Sequence, residues 1–319
     1  MSRTPTSPPD TAVMSVESLD GSGLEARAAM PSPPPAGSKR APSRWRFPVS
    51  KLSLLGLLIV FFWLLMALIG PLIAPYDASK IVDTDVFSGM SSAFWLGTDY
   101  LGRDMLSRIL YGTRYTVGLA LTATVLASTA GTILALCAAI SGGWIDSALS
   151  RAIDALISLP SMMFALLMVA SFGSSAELLI ITAAIIYMPG SYRIARALAV
   201  NVQTMEYVQA ARARGEGALY IMCIEMLPNM IRPVLADFGL RFVFVVLLLS
   251  GLSFLSLGIQ PPEADWGSLV RENISGLGQG ALAVITPALA IATLTIGVNL
   301  LIDNLRRKTR SGEGESGNG

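Results

Sequence analysis

Two charged residues, Asp237 and Arg241, stand alone in an otherwise uncharged run from about Pro233 to Gly258. Four positions apart on a helix, they share one face and can pair. An isolated charge at membrane depth costs at least ~2.5 kcal/mol, so a partner or water must compensate each of them. Two readings stand. In one, Arg241 pairs internally or extends toward the interface with Asp237 beside it; in the other, the pair lines a translocation path and touches the solute. A second charged group, Asp99, Arg103 and Asp104, has the makings of an ion-pair network, with Gly97 and Gly102 allowing tight turns. It can seal the outer ends of helices or contact substrate directly. These are charge-holding chemistries, and nothing in the chain adds a catalytic set. The sequence holds no histidine, which removes the commonest metal ligand and the commonest proton-transfer group near neutral pH. Cys137 and Cys223 lie in or beside apolar runs and form neither a disulfide framework nor a metal site. None of the four lysines (Lys39, Lys51, Lys80, Lys308) follows a glycine, so no Gly-x-x-x-x-Gly-Lys phosphate loop exists. The chain is expected to be no enzyme, with no catalytic, cofactor-binding or metal-binding residues.

A third stretch, Glu206 to Pro228, is the longest polar-containing segment between two strongly apolar ones in the C-terminal half. Glu206–Ala213 is built of good helix formers with Ala210, Ala211 and Ala213 among them. Thr204 is expected as its N-cap, with Glu206 in the first turn where the helix dipole favours an acid. Gly215 allows a bend, and Pro228 is expected to mark the turn into the next helix. A face of small residues lets another backbone approach closely, and Arg212, Arg214 and Glu216 offer charge contacts at its rim. The segment reads either as a docking helix pair for a soluble partner or as an amphipathic linker.

The surrounding elements are apolar. The 319 residues are 53% hydrophobic and only 14% charged, against about 25% charged in soluble domains. With a mean hydropathy of +0.59, this is the composition of an integral membrane protein in a lipid bilayer. The net charge of +1 gives no reason to expect a nucleic-acid partner. A chain of roughly 20 apolar residues crosses the ~30 Å hydrocarbon core. Six spans are expected: Leu52–Ile73, Val117–Ile140, Ala155–Phe172, Leu178–Tyr192, Pro233–Gly258 and Leu282–Ile302. The third has Pro160 near its inner end, and the fourth is interrupted by Pro189-Gly190. Its break serves either a cavity or steric fit. Residues 1–50, rich in Pro, Ser, Ala and Gly, are expected to be a disordered cytoplasmic tail without a secretory signal. Residues 51–310 form the membrane domain, and 311–319 a second disordered tail. Basic residues before the first span, around Arg193 to Arg214, and after the last one place both termini and the Glu206–Pro228 loop inside, by the positive-inside rule. Lys80, Arg103, Arg108, Arg114 and Arg271 in the outer loops run against that rule.

Three motifs carry a resemblance. Gln209-Ala210-Ala211, three residues, Gly215, and then Leu227-Pro228-Asn229 resembles the EAA loop of binding-protein-dependent ABC importer permeases. Trp95-Leu96-Gly97-Thr98-Asp99 with Gly102-Arg103-Asp104, Ser107 and Arg108 is similar to a segment of the oligopeptide, dipeptide and nickel branch. Leu252–Asn273, with Gly258, Pro261, Pro262, Trp266 and Gly267, resembles the same branch. The likeness runs from about Trp95 to Leu305. Departures are Gln209 where the family often has Glu, Arg214 where an apolar residue is usual, and Glu225 where His is frequent. The sequon Asn273-Ile274-Ser275 would carry no sugar in a bacterial-type permease.

The resemblance implies an all-α fold of the type I ABC importer permease, with six transmembrane helices and a core over about 115–305. It implies a bacterial inner-membrane location, a second homologous permease chain, two ATP-binding subunits and an extracytoplasmic solute-binding protein. ATP and Mg would be used by the partner subunits, and Glu206, Gln209, Ala210, Ala211, Arg212, Gly215, Leu227 and Pro228 would meet the ATPases. The solute would be a di- or oligopeptide. The alternatives are an importer for nickel or another small solute, and an ion-coupled secondary transporter.

Overall fold

The computed structural model describes residues 51–279 and 282–314, with side chains described as far as Asp303. The expected N-terminal tail, its basic cluster, and the basic side chains after Asp303 lie outside the described residues. Among the described residues all regular structure is helical. In chain order the helices are α1 (Lys51–Ile73), α2 (Met105–Ser141), α3 (Gly143–Ile157), α4 (Ser161–Phe172), α5 (Ala176–Gln203) and α6 (Glu206–Ala213). There follow α7 (Ala218–Tyr220), a π-helical turn (Ile221–Met226), α8 (Leu227–Phe254), α9 (Trp266–Glu272), a 3-10 turn (Ile274–Gln279) and α10 (Leu282–Gly314).

Five of these runs are long and apolar enough to cross a membrane. The third expected span, Ala155–Phe172, is not one straight helix. It is divided between α3 and α4, which meet at 81°. Pro160, with φ −59° and ψ 123°, stands at the N-cap of α4, and a proline disfavours helical geometry in the residue before it. The fourth span behaves oppositely. α5 runs unbroken through Pro189-Gly190 to Gln203, because packing against α2 holds both sides of the proline in place. The small residues of α2 permit that packing: a Cβ at Gly131 would lie 2.8 Å from the Met188 carbonyl oxygen and 2.9 Å from the Tyr192 nitrogen.

The helix boundaries follow local chemistry. Asp104 caps α2, its carboxylate accepting from the Ser107 backbone N–H at 2.8 Å. Among the described residues it makes no ion pair, contrary to the network expected of it. Thr204 closes α5 instead of opening α6, whose N-cap is Met205. Pro228 makes no turn: it sits at the first positions of α8, directly after the π-helical turn, and the run Ala218–Phe254 is one continuous span of 37 residues. α8 ends at Phe254 through Ser256 at φ 68° rather than at Gly258. Gly258 is needed for a different reason, since a Cβ there would collide with Ser253.

The core falls into two clusters. One joins α2, α5, α8, α9 and α10 around Val117, Leu252, Trp266 and Leu294. Trp266, expected at an interface, is fully buried, stacks edge-on against Trp63 at 4.7 Å and donates from Nε1 to the Ile109 carbonyl. The other gathers Ala135, Ile153, Tyr192, Ala199, Val208, Ala211, Ile221, Met226 and Met230 beneath α6. α6 and α9 thus occupy opposite ends of α8, whose 28 residues measure about 42 Å. Gly56 of α1 packs on Gly297 of α10, and Gly70 on Leu110 of α2. α1 and α10 thus run side by side, and Ile302 packs against Gly239 near the middle of α8.

Candidate functional site

At its own end of the bundle, α6 is anchored from below and bare above. Val208 and Ala211 are buried, four-residue spacing being replaced here by an i, i+3 pair on one face. Glu206, Gln209, Ala210, Arg212 and Ala213 are exposed. Of the expected docking residues, Ala211 therefore turns inward and holds the helix to α5 and the π-helical turn. Gly215 follows at φ 83°, a conformation that glycine adopts without strain. Leu227 is half-buried and Pro228 exposed.

The three departures from the family pattern each have a place. Gln209 donates from Nε2 to the Gln203 carbonyl at 2.9 Å, a bond that a glutamate carboxylate cannot make. Arg214 and Glu225 face each other, Nη2 to Oε1 at 3.6 Å, with Glu216 at 3.8 Å from Arg214 Nε. The Arg214–Glu225 pair spans the Gly215 bend and ties the end of α6 to the π-helical turn. Partial burial, and after it the Glu225 carboxylate, push the Tyr207 phenol above its ordinary range.

Below α6 the helix α3 is fastened to α5. Arg196 holds Asp146 through Nε at 2.6 Å and through Nη2, Arg193 holds Asp154 at 2.8 Å, and Ser150 bonds the Tyr192 hydroxyl at 3.0 Å. Sequence alone did not single out Asp146 or Asp154 as partners of the α5 arginines. Their spacing on an amphipathic helix was the available signal.

Asp237 and Arg241 do share a face of α8. Arg241 Nη2 lies 3.1 Å from Asp237 Oδ1 and its Nε 3.4 Å from Oδ2, while Ser191 of α5 donates to Oδ2 at 3.0 Å. Asp237 is buried, and Arg241 stands 14 residues from the start of α8, near mid-length. A Cβ at Gly190 would overlap the guanidinium, so that glycine makes room for it. The guanidinium borders a cavity of about 400 Å³ whose walls include the α3–α4 break, Tyr187, Pro189, Gly190 and Arg193. The internal pairing expected of the two is present, and Arg241 in addition borders the cavity, which Asp237 does not line.

At the α9 end, Asp99 accepts from Arg103 Nε at 2.7 Å and Arg108 Nη1 at 2.6 Å. Glu272 takes the same two arginines at 3.4 and 2.9 Å. Asp99, Glu272 and the two arginines join the start of α2 and the segment before it to α9, with Asp99, Arg103 and Arg108 buried. Arg271 adds a third base at 3.9 Å from Glu272 Oε1. Glu272 is the member that the sequence did not reveal, 164 positions from Arg108. Gly102 has φ 74° and no space for a Cβ beside the Asp83 carbonyl. Asn273 is fully buried, donating to the Leu269 carbonyl and accepting from the Tyr100 N–H, so its sequon is inaccessible.

Residues 127–311 match the binding-protein-dependent transport system inner membrane component family, and residues 42–88 match the N-terminal transmembrane domain of oligopeptide transport permease C. The chain belongs to this permease family. It is 31% identical over 280 residues to the dipeptide transport system permease protein DppC of Alkalihalophilus pseudofirmus, covering 86% of this chain and 92% of that one. It is 33% identical over 251 residues to the glutathione transport system permease protein GsiD of Pectobacterium atrosepticum, covering 78% and 81%. Identity is 32% over 266 residues to the di/tripeptide transport system permease protein DppC of Pseudomonas aeruginosa, covering 82% and 88%. This permease is a multi-pass membrane component of an ABC importer and not itself an enzyme. As a component of a binding-protein-dependent system, it works with ATPase and binding-protein partners.

Proposed function

We propose that this permease forms half of the translocation pathway of an ATP-driven importer for di- or oligopeptides. A second, homologous permease chain completes the pathway, two ATP-binding subunits dock at the exposed face of α6, and an extracytoplasmic solute-binding protein delivers the peptide at the α9 end. ATP with Mg is consumed in the partner subunits. The protein lies in the bacterial cytoplasmic membrane with both termini and α6 on the cytoplasmic side. The observation that carries this reading is the construction of α6, exposed on the side that a partner can reach and anchored by Val208 and Ala211 into the bundle on the other. A push on such an element reaches α5 and α8 directly, and those helices border the Arg241 cavity. It is the kind of two-state lever that a partner's nucleotide cycle can bias. Peptide chemistry is supported by what the DppC relatives are named for.

The test is uptake by proteoliposomes holding the complete assembly. Uptake of a dipeptide that needs internal ATP and stops with vanadate is expected. Uptake that persists without ATP and follows an imposed proton gradient would replace this reading with an ion-coupled one.

A further inference from the structure

The charges around the mid-bundle cavity are distributed unevenly. Both ionisable residues on its wall that carry a fixed charge are arginines, Arg193 and Arg241. Their acids, Asp154 and Asp237, pair with them from outside the lining. The pairing also leaves donors over. Arg241 engages Asp237 through Nε and Nη2, and its Nη1 lies against Gly190 with no hydrogen bond of its own. Asp237 Oδ1 in turn receives no aligned hydrogen bond, so the guanidinium is held near the acid without being locked to it in a fork.

A second source of positive potential points to the same place. α4 begins at the break beside the cavity, Ser161 is on the wall, and Pro160 supplies no capping side chain. The first-turn N–H groups of a helix 12 residues long carry about half a positive charge between them. In transport proteins, interrupted helices that end at mid-membrane present their N-termini to anionic groups of the solute. The rest of the wall is apolar: Leu156, Ile157, Phe164, Ile185, Ile186 and the Tyr187 ring, whose hydroxyl is already spent on the Phe244 carbonyl.

We infer that this cavity is a transient subsite for the carboxylate of the passing solute, received by Arg241 and the N-terminus of α4 with Arg193 at the rim. The inference rests on the proposed peptide-importer reading and adds the charge selectivity of its path. Because Asp237 competes for the same guanidinium, the anion is held weakly enough to leave.

The test compares alanyl-alanine with its C-terminal amide in proteoliposomes of the complete assembly, with the solute-binding protein saturated separately by each. The wild type should carry the carboxylate form about tenfold faster, the worth of one charge-assisted hydrogen bond. Arg241→Gln combined with Asp237→Asn removes the site without stranding a buried charge, and should bring the ratio close to one. Arg193→Gln, at an exposed pair, should lower it about two- to threefold and provides a second measurement if the double variant does not assemble. Unchanged ratios in the variants that assemble, with wild-type uptake intact, overturn this inference and leave the importer reading standing. Wild-type assemblies that carry neither compound with ATP overturn both.

Discussion

Several side chains do work that their own segments do not announce. Asp265 caps α9, accepting from the Ser268 N–H at 3.0 Å while Ser268 Oγ receives the Asp265 N–H at 3.0 Å. Its carboxyl is buried, and burial pushes its pKa above the ordinary carboxylate range, against the lowering influence of Ser253 and Ser268. A raised pKa in the folded state means that the stabilising contribution is fully present below the unfolded value and is lost as pH rises through the folded one. Acidification from neutral pH should therefore stabilise this end of the wild-type protein. Asp265→Asn keeps the acceptor and should flatten that dependence, whereas Asp265→Ala loses the cap at a cost of about 1 kcal/mol. Thermal unfolding in detergent, followed as pH is lowered from neutral toward the ordinary carboxylate range, reads both. The Arg214–Glu225 pair makes a second residue-scale prediction. Half-exposed and 3.6 Å apart, it should contribute no more than about 1 kcal/mol. Glu225→Arg alone should reduce ATP-driven uptake about two- to fivefold by placing like charges across the bend. Adding Arg214→Glu should restore most of the loss, and a double variant no better than the single one would remove the pair from the coupling path.

The elements differ in how readily sequence discloses them. α1 was legible as an unbroken uncharged run, and the Asp237–Arg241 spacing gave their shared face because helix periodicity alone decides it. The two prolines at 160 and 189 could not be ranked that way. Each removes one hydrogen bond, and what separates them is their setting: α5 is clamped against α2 through Gly131 on both sides of Pro189, whereas Pro160 stands at the N-cap of α4. Glu272 was invisible for a related reason, since only the fold brings it to Arg103 and Arg108. Gly215 is an element-scale device. Its positive φ costs a side-chain-bearing residue roughly 1–2 kcal/mol, and no neighbouring atom lies near enough to be displaced. Gly215→Val should thus leave the bundle's unfolding temperature within a few degrees of wild type while reorienting α6. The expected result is a fall in uptake of about five- to thirtyfold, the strain converted to a rate. Normal uptake would mean that the bend is not used.

The whole molecule joins a bare helix at one end, a cavity near mid-length of α8 and an ion-pair cluster at the other end. The order of parts was readable from motifs, but the division of labour was not: Ala211 anchors where docking was expected, and Asp104 caps where pairing was expected. The central claim is that the exposed face of α6 receives the motor subunits. Cross-linking tests it most directly, in an assembly whose Cys137 and Cys223 have been replaced by serine. Ala210→Cys should cross-link to an ATP-binding subunit with a yield that changes between nucleotide-free and ATP-bound states, while the buried Ala211→Cys should not. Labelling of Ala210→Cys by an impermeant thiol reagent from the extracytoplasmic side, or no cross-link in any nucleotide state of a working transporter, would contradict the account.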